Sequence, residues 1–218
     1  MKKRKHKFAD SRLFGVDVSH HQNMVDWRKA ADAGVIFAFL KATEASTFVD
    51  RRFAYNWSET KKNGIVRGSY HFFRPRSSVE SQISNFLGVQ GKLEVGDLPP
   101  VLDLEVPESW RSLSLKKRIA IVRQWLDAVE AALGIKPIIY LSSSFPGDVL
   151  GNDPFLKNYL LWVANYKVSE PKIPAPWTDW NFWQFSETGK VTGVPTGAVD
   201  LNWFQGSRSD LMKITVQS

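Results

Sequence analysis

The sequence predicts an α/β protein, an irregular (β/α) barrel of the TIM type with eight strands and fewer than eight helices. Eight short β-type runs follow one another along the chain, and helical patterns separate the early ones, as in a closed parallel sheet. The 218 residues, of which 43% are hydrophobic, suit one barrel domain with a large core. Toward the C-terminus the spacers are short and rich in Pro or Gly, so we expect an irregular barrel on that side.

Strands are predicted from apolar runs, and helices from amphipathic patterns with start and stop signals. The eight strands are predicted at residues 13–19, 35–41, 65–72, 100–105, 137–141, 159–164, 180–185 and 198–202. The helices are predicted at residues 26–33, 51–63, 79–87 and 114–133. The last helix is long and amphipathic, and it ends at Gly134, a typical helix stop.

Composition excludes several classes of function. The chain has no cysteine, which rules out disulfides, thiol redox chemistry and thiolate zinc sites. Its four histidines, at positions 6, 20, 21 and 71, lack the spacing of a metal site. We therefore expect no metal and no cofactor. The sequence contains no apolar run of about 18 residues, so we expect no membrane insertion.

Positive charge is concentrated at the N-terminus. The net charge is +7, and the opening MKKRKHK supplies five of the seven excess charges. The rest of the chain is nearly neutral, which argues against a nucleic acid partner. We predict a basic, disordered tail over residues 1–12 and a single barrel domain over residues 13–218. The tail is not followed by the apolar stretch of a signal peptide, and its charge suits attraction to an anionic polymer.

The stretch PPVLDLEV, residues 99–106, combines the pattern of a buried strand with two carboxylates. Residues two apart in a strand point to the same face, so Asp103 and Glu105 should lie close together. Two close negative charges raise the proton affinity of at least one carboxylate. A carboxylic acid that stays protonated near neutral pH is what general acid catalysis requires. The pair is therefore a candidate catalytic site.

Two more acids lie at predicted strand ends, Asp17 in GVDVSHHQ and Asp200 in GAVDLNWF. The bulky apolar neighbours of each acid should face the helices, which directs the carboxylates into the barrel. The ends of the strands form the active face of such barrels, and the first and eighth strands are neighbours. We therefore predict one acidic site that contains Asp17, Asp103, Glu105 and Asp200.

Four other side chains are candidates for binding a substrate. Tyr70, Tyr140 and Tyr166 lie near the ends of the third, fifth and sixth runs, where a phenol can hydrogen-bond a ligand. Lys41 ends the second run beside Glu44, and it suits either a substrate carboxylate or a structural ion pair. Most of the remaining aromatic side chains, including the nine tryptophans, are expected in the core.

The strand motifs, in their order, resemble those of glycoside hydrolase family 25, the Chalaropsis-type lysozymes (N-acetylmuramidases). The matching segments extend from about residue 14 to residue 204 and are GVDVSHHQNMVDW, FAFLKATE, GSYHFF, PPVLDLE, LWVANY, FWQFSETGKVTGV and GAVDLNWF. The resemblance implies a flattened barrel that hydrolyses the β-1,4 bond between N-acetylmuramic acid and N-acetylglucosamine in peptidoglycan. It implies Glu105 as general acid/base, Asp103 as its partner carboxylate, and Asp17 and Asp200 as flanking acids.

Two positions depart from the family pattern. Asn23 and Ala45 stand where family members often have glycine, and both lie in predicted loops. We expect these departures to affect loop shape or substrate preference and to leave the chemistry unchanged.

Asp103 has two candidate roles in such a reaction. It either attacks the anomeric carbon directly or orients the 2-acetamido group of the sugar as the nucleophile. A carboxylate two residues from the acid on the same strand is constrained in its reach, which favours the second role. The sequence leaves both open.

Two other functions also remain open. One is a related glycosidase acting on chitin-like or deacetylated glycans, and the other is a non-catalytic wall-binding barrel, against which the four acids argue. We expect a monomer whose partners are peptidoglycan strands and, through the tail, anionic wall polymers. The expected location is secreted, periplasmic or in the cell wall, with cytoplasmic storage before lysis for a phage-derived enzyme.

Overall fold

The computed structural model describes residues 12–195 and 197–217, which form nine strands and six α-helices. The strands are β1 (Arg12–Val18), β2 (Phe37–Glu44), β3 (Phe48–Val49), β4 (Val66–Phe72), β5 (Val101–Leu104), β6 (Ile138–Ser142), β7 (Leu160–Ala164), β8 (Phe182–Gly189) and β9 (Val199–Gln205). The helices are α1 (Trp27–Asp32), α2 (Phe53–Lys62), α3 (Val79–Gln90), α4 (Leu115–Leu133), α5 (Phe145–Leu150) and α6 (Arg208–Lys213). All eight predicted strands and all four predicted helices are present, whereas β3, α5 and α6 were not predicted.

Eight of the strands close into a barrel, and the short β3 pairs only with β2 at its margin. The barrel closes because β1 pairs with β2 on one side and with β9 on the other. The predicted fold class, a barrel with fewer helices than strands, is confirmed. The expectation of an entirely parallel sheet is wrong, since β9 runs antiparallel to both β8 and β1. The short connection after β8 suits a direct reversal of the chain, whereas a parallel strand requires a long crossover.

The direction of β9 changes how Asp200 reaches the active face. We predicted that Asp200 closes the last strand, but it is the second residue of β9. Because β9 runs antiparallel, its beginning lies at the same end of the barrel as the C-terminal ends of β1 and β5. In the register between β1 and β9, Asp200 pairs with Asp17. The predicted neighbourhood of the two acids is therefore confirmed, although the predicted strand direction was wrong.

Two apolar cores lie on opposite sides of the barrel wall. The interior is filled by aromatic rings such as Phe39 and Trp162, which stack with their centroids 4.3 Å apart. Glycine makes room for these rings, since a Cβ atom on Gly68 would lie 2.8 Å from the Phe39 ring. The outer core, between wall and helices, includes Leu102 and Leu104. The apolar neighbours of Asp103 thus face the helices as predicted.

Capping residues determine where helix α4, in the outer layer, begins and ends. The Ser114 side chain accepts a hydrogen bond from the Lys117 backbone N–H at 3.3 Å, which caps the first turn. Gly134 ends the helix with a φ of 71°, a conformation that glycine adopts without strain. The buried face, which includes Trp125 and Val129, packs in the outer core. The predicted span agrees with the observed one to within one residue.

Both departures from the family pattern fall at backbone positions that favour glycine. Asn23 has φ 57° and ψ −137°, and Ala45 has φ 50°. Positive φ brings a Cβ atom close to the backbone, which glycine avoids. The loops after β1 and β2 therefore keep a glycine-type conformation and carry the resulting strain.

The predicted tail lies almost entirely outside the described residues. Arg12, the last residue assigned to that tail, is the first residue of β1 and pairs with Gln205 of β9. Among the helices of residues 12–195 and 197–217, none has both the length and the apolar character needed to cross a bilayer.

Candidate active site

One cleft at the end of the barrel contains every predicted site residue. It has a volume of about 360 Å³ and opens where β1 and β5 end and β9 begins. The predicted residues in its lining are Asp17, Lys41, Tyr70, Asp103, Glu105, Tyr140, Tyr166 and Asp200. The closure of the barrel thus gathers side chains from both ends of the sequence at one point.

The cleft continues past Glu105 into a second cavity of about 380 Å³. Glu105, Tyr140 and Tyr166 line both cavities, so they stand at the boundary between them. The first cavity is rich in acids, whereas the second is lined, apart from Glu105, by uncharged groups such as Ser142 and Asn165. A linear ligand that crosses Glu105 would therefore have room on both sides of its carboxyl group.

Asp103 and Glu105 form a close pair of acids with unequal exposure. Asp103 is only 5% exposed, whereas Glu105, just beyond the end of β5, is half-buried. Burial and the charge of Glu105 raise the pKa of Asp103 well above its usual value. Burial also raises the pKa of Glu105, although a hydrogen bond from Tyr140 opposes this rise. Because two charges so close repel each other, the pair tends to hold one proton between them.

One oxygen of Asp103 has no partner among the side chains and backbone of the described residues. Asp103 Oδ1 is buried and accepts no hydrogen bond there. A buried carboxylate oxygen without a donor is costly, and a ligand N–H placed beside it would remove that cost. The atom therefore marks a position in the cleft suited to a hydrogen-bond donor.

Asp17 and Asp200 form a second pair of acids, and their carboxyl groups are hydrogen-bonded to each other. Burial and the charge of Asp17 raise the pKa of Asp200 to about 9. Burial raises the pKa of Asp17 to about 6, and hydrogen bonds from Asn202 and Gln184 limit this rise. At neutral pH the pair therefore tends to hold one proton, and the two amide donors on Asp17 favour Asp17 as the carboxylate and Asp200 as the acid.

Two buried amides fix the Asp17 carboxylate. Asn202 Nδ2 and Gln184 Nε2 donate to Asp17 Oδ2 at 2.7 and 2.9 Å. The orientation of Asn202 is set by the indole N–H of Trp162, which donates to Asn202 Oδ1 at 2.8 Å. An indole N–H is only a donor, so the opposite end of this amide must face Asp17.

Two of the three tyrosines in the cleft contact Gln184. The hydroxyl groups of Tyr140 and Tyr166 donate to Gln184 Oε1 at 2.7 and 2.5 Å. Burial raises the pKa values of Tyr140 and Tyr166 well above the usual value of a phenol, so both remain neutral phenols. Burial and the surrounding acids have the same effect on the pKa of Tyr70.

Two cationic side chains lie close together at one edge of the cleft. Lys41 Nζ lies 2.6 Å from Glu44 Oε2, and Arg74 Nη2 lies 2.6 Å from Glu44 Oε1. Both cations pack over the ring of Phe72, at 4.9 and 4.3 Å from its centroid. Two cations share one carboxylate, so this edge keeps one excess positive charge. Lys41 thus forms the ion pair considered from the sequence and also lines the cleft.

Gln184 and Asn202 were not among the predicted residues, although the signal was available. Gln184 is flanked on β8 by apolar residues, and its inward position follows from the alternation along the strand. Asn202 is two residues after Asp200 on β9, so it points to the same face. The rule that paired Asp103 with Glu105 would have found Asn202.

A larger cavity of about 570 Å³ lies at the opposite end of the barrel. Its lining includes Trp177, Lys136 and Lys157, and it contains none of the predicted site residues. Volume alone therefore does not identify the site. The paired acids in the smaller cleft supply both a proton donor and a carboxylate, which are the two groups that hydrolysis of a glycosidic bond requires.

Paired acids at this end of a (β/α) barrel define the protein as a glycoside hydrolase. Residues 16–194 match the family "Glycosyl hydrolases family 25", and the chain belongs to that family. A lysozyme structure from Streptomyces coelicolor is 34% identical and superposes with a TM-score of 0.90 over 94% of this chain and 98% of that one. Lysozyme M1 of Streptomyces globisporus is 33% identical, covering 92% of this chain and 70% of that protein. The N,O-diacetylmuramidase of Chalaropsis sp is 30% identical, covering 92% and 97%.

Proposed function

We propose that this chain is an N-acetylmuramidase that hydrolyses the β-1,4 bond between N-acetylmuramic acid and N-acetylglucosamine in peptidoglycan. The observation that carries the proposal is the position of Glu105 between two cavities. A sugar chain that occupies both would present a glycosidic oxygen to this acid in the middle of the strand. The relatives named lysozyme and N,O-diacetylmuramidase support the same activity.

In this proposal Glu105 is the general acid and then the general base. Its elevated pKa supports the first role, since the group must carry a proton when substrate binds. The proton passes to the leaving glycosidic oxygen, and Glu105 later accepts a proton from the attacking water. The partial exposure of Glu105 suits exchange of that proton with solvent.

Asp103 is proposed to orient the 2-acetamido group of the sugar rather than attack carbon itself. The unpartnered Asp103 Oδ1 supports this role, because an acetamido N–H would donate to it. Such a hydrogen bond stabilises the carboxylate form of Asp103 and leaves the shared proton of the pair on Glu105. The acetyl oxygen would then form the first bond to the anomeric carbon.

The remaining predicted residues complete the proposed site. The Asp17 carboxylate supplies negative charge near the sugar ring, where positive charge develops, and Asp200 keeps a proton beside it. Tyr70 and Tyr166 are proposed to contact the glycan. The excess positive charge around Lys41 and Arg74 suits a sugar that carries a carboxylate, as muramic acid does and N-acetylglucosamine does not.

The cell wall is the proposed place of action. The basic residues 1–7 would strengthen attachment there, because their positive charge attracts anionic wall polymers. We propose that the barrel acts as a single catalytic domain and as a monomer.

Digestion of purified peptidoglycan tests the proposed function. We expect glycan fragments whose new reducing end is N-acetylmuramic acid, identified by borohydride reduction and mass spectrometry. Chitin oligomers, incubated in parallel, should remain intact. New N-acetylglucosamine reducing ends, or faster cleavage of chitin, would contradict the proposal.

A further inference from the structure

Gln184 has a single permitted orientation in the wall of the cleft. It is 3% exposed, and Asp17 Oδ2 accepts from its Nε2 atom at 2.9 Å. That oxygen already accepts from Asn202, so it cannot face the oxygen end of a second amide without repulsion. The Oε1 atom of Gln184 must therefore face Tyr140 and Tyr166.

The Tyr140 hydroxyl lies between two acceptors but has only one proton. It donates to Gln184 Oε1 at 2.7 Å, and it lines both cavities together with Glu105, near enough to that carboxyl group to lower its pKa by hydrogen bonding. The Tyr166 hydroxyl donates to the same Gln184 oxygen at 2.5 Å. If Tyr140 turns away, Gln184 Oε1 keeps one donor and no buried oxygen is left unpaired. Tyr140 can therefore change its acceptor at low cost.

We propose that Tyr140 is a positioning residue whose hydroxyl donates to Gln184 while Glu105 is protonated and turns to donate to Glu105 once that acid has lost its proton. This inference rests on the proposed function, in which Glu105 gives and later regains a proton. In the first state the Glu105 O–H donates to the phenol oxygen. In the second state the phenol O–H donates to the carboxylate. Tyrosine keeps its proton throughout, so only the direction of the hydrogen bonds changes.

This exchange suits a group that serves first as acid and then as base. A fixed donor to Glu105 would stabilise only the carboxylate, so fewer molecules would carry the proton when substrate binds. A fixed acceptor would stabilise only the protonated form and leave the carboxylate that forms after proton transfer without a donor. Burial keeps the pKa of Tyr140 far above neutral, so the phenol can accept a hydrogen bond from Glu105 or donate one to it without ionising.

Other titratable groups also act on Glu105 and Tyr140. They are Asp17, Lys41, Arg74, Asp103, Tyr166 and Asp200. The acids favour the protonated form of Glu105, and the two cations favour its carboxylate. Removing only the Tyr140 hydroxyl leaves all these charges in place, so a change in the titration of Glu105 would report on that hydroxyl.

The test combines Tyr140→Phe, Tyr166→Phe and the double variant, with Tyr55→Phe as a control outside the cleft. Tyr55 donates to the Val25 carbonyl oxygen at 2.9 Å, so the control also loses a hydrogen bond. The titration of Glu105 is followed by ¹³C NMR of glutamate-labelled protein, with the signal assigned through Glu105→Gln. The pH profile of kcat/KM on peptidoglycan is measured for the same proteins, and thermal unfolding verifies that each is folded.

We expect Tyr140→Phe to raise the titration midpoint of Glu105 by about one pH unit and to move the alkaline limb of kcat/KM equally. Tyr166→Phe should give a smaller shift in the same direction. Without the Tyr166 hydroxyl, Gln184 holds the Tyr140 hydroxyl more firmly, and Tyr140 donates less to the Glu105 carboxylate. The double variant should match Tyr140→Phe, and Tyr55→Phe should match the wild type.

Additive shifts in the double variant, or no shift in Tyr140→Phe, would overturn the inference. A shift in the NMR titration without one in the activity profile would also overturn it, since the exchange would then have no part in the reaction. The NMR titration needs no substrate. If the wild type fails to cleave peptidoglycan, the proposed function fails, while the titration still tests the change of acceptor.

Discussion

Acidification from pH 6.5 to pH 4 should destabilise the protein through one buried histidine, His71. The ring is fully buried and stacks on Trp125 at a centroid distance of 5.7 Å. Its Nε2 atom lies 3.1 Å from Gln82 Oε1, and its Nδ1 atom lies 2.7 Å from Thr43 Oγ1. The first contact requires an N–H on Nε2, and the second lets Nδ1 accept from the threonine hydroxyl. Both contacts are satisfied by the neutral ring.

The magnitude follows from the difference in pKa between the folded and unfolded states. Burial lowers the pKa of His71 from 6.5 to about 4. Between these values the unfolded chain binds a proton that the folded protein does not, so the free energy of unfolding falls as the pH falls. The full loss is about 3 kcal/mol, since each unit of pKa corresponds to about 1.4 kcal/mol. Above pH 6.5 the contribution is complete, and below pH 4 it does not change further.

Urea denaturation at pH 7, 6, 5 and 4 measures this loss when the wild type is compared with His71→Gln. The comparison is needed because the raised pKa values of Asp17 and Asp200 act in the opposite direction as the pH falls. The variant should be less stable at pH 7 and lose about 3 kcal/mol less on acidification. Equal acid-induced losses in wild type and His71→Gln would refute the reasoning.

Three further predictions concern the loops, the tail and the nucleophile. Ala45→Gly should raise the free energy of unfolding by about 1 kcal/mol, because glycine adopts a positive φ without strain. The control Ala131→Gly, in α4, should lower the free energy of unfolding by a similar amount. Thermal unfolding measures both changes, and destabilisation by Ala45→Gly would contradict the account. Deletion of residues 1–7 should weaken binding to intact walls at low salt and leave hydrolysis of short soluble glycans unchanged; equal wall binding with and without the tail would contradict its proposed role. Peptidoglycan deacetylated at muramic acid should be cleaved poorly, because it lacks the acetyl oxygen proposed as the nucleophile. Undiminished cleavage, or a covalent adduct on Asp103 found by mass spectrometry, would instead indicate direct attack by Asp103.

Periodicity along single strands was enough to predict most of the barrel and its acids. Asp17 and Asp103 each interrupt an apolar strand at an inward position, and that local pattern survives in the structure. The direction of β9 could not be read in this way, since alternation is identical in parallel and antiparallel strands. Only the length of the connection before β9 distinguishes the two cases, since a short connection permits an antiparallel strand and a parallel strand requires a long crossover.

The hydrogen-bonded network of the site was harder to predict than its acids. Gln184 matters because its two ends contact Asp17 and Tyr140, which lie on different strands. Such pairings depend on the register of the whole sheet. The backbone strain at Ala45 could not be predicted from the sequence either, because an alanine in place of glycine is strained only where φ is positive.

The most direct test of the account is the turnover of peptidoglycan by Glu105→Gln. This substitution keeps the size of the side chain and removes its transferable proton. We predict that turnover falls by about 10²- to 10⁴-fold, the usual effect of losing a general acid, while the variant unfolds with a wild-type transition or a more stable one. A folded Glu105→Gln variant with near-normal turnover would contradict the central claim.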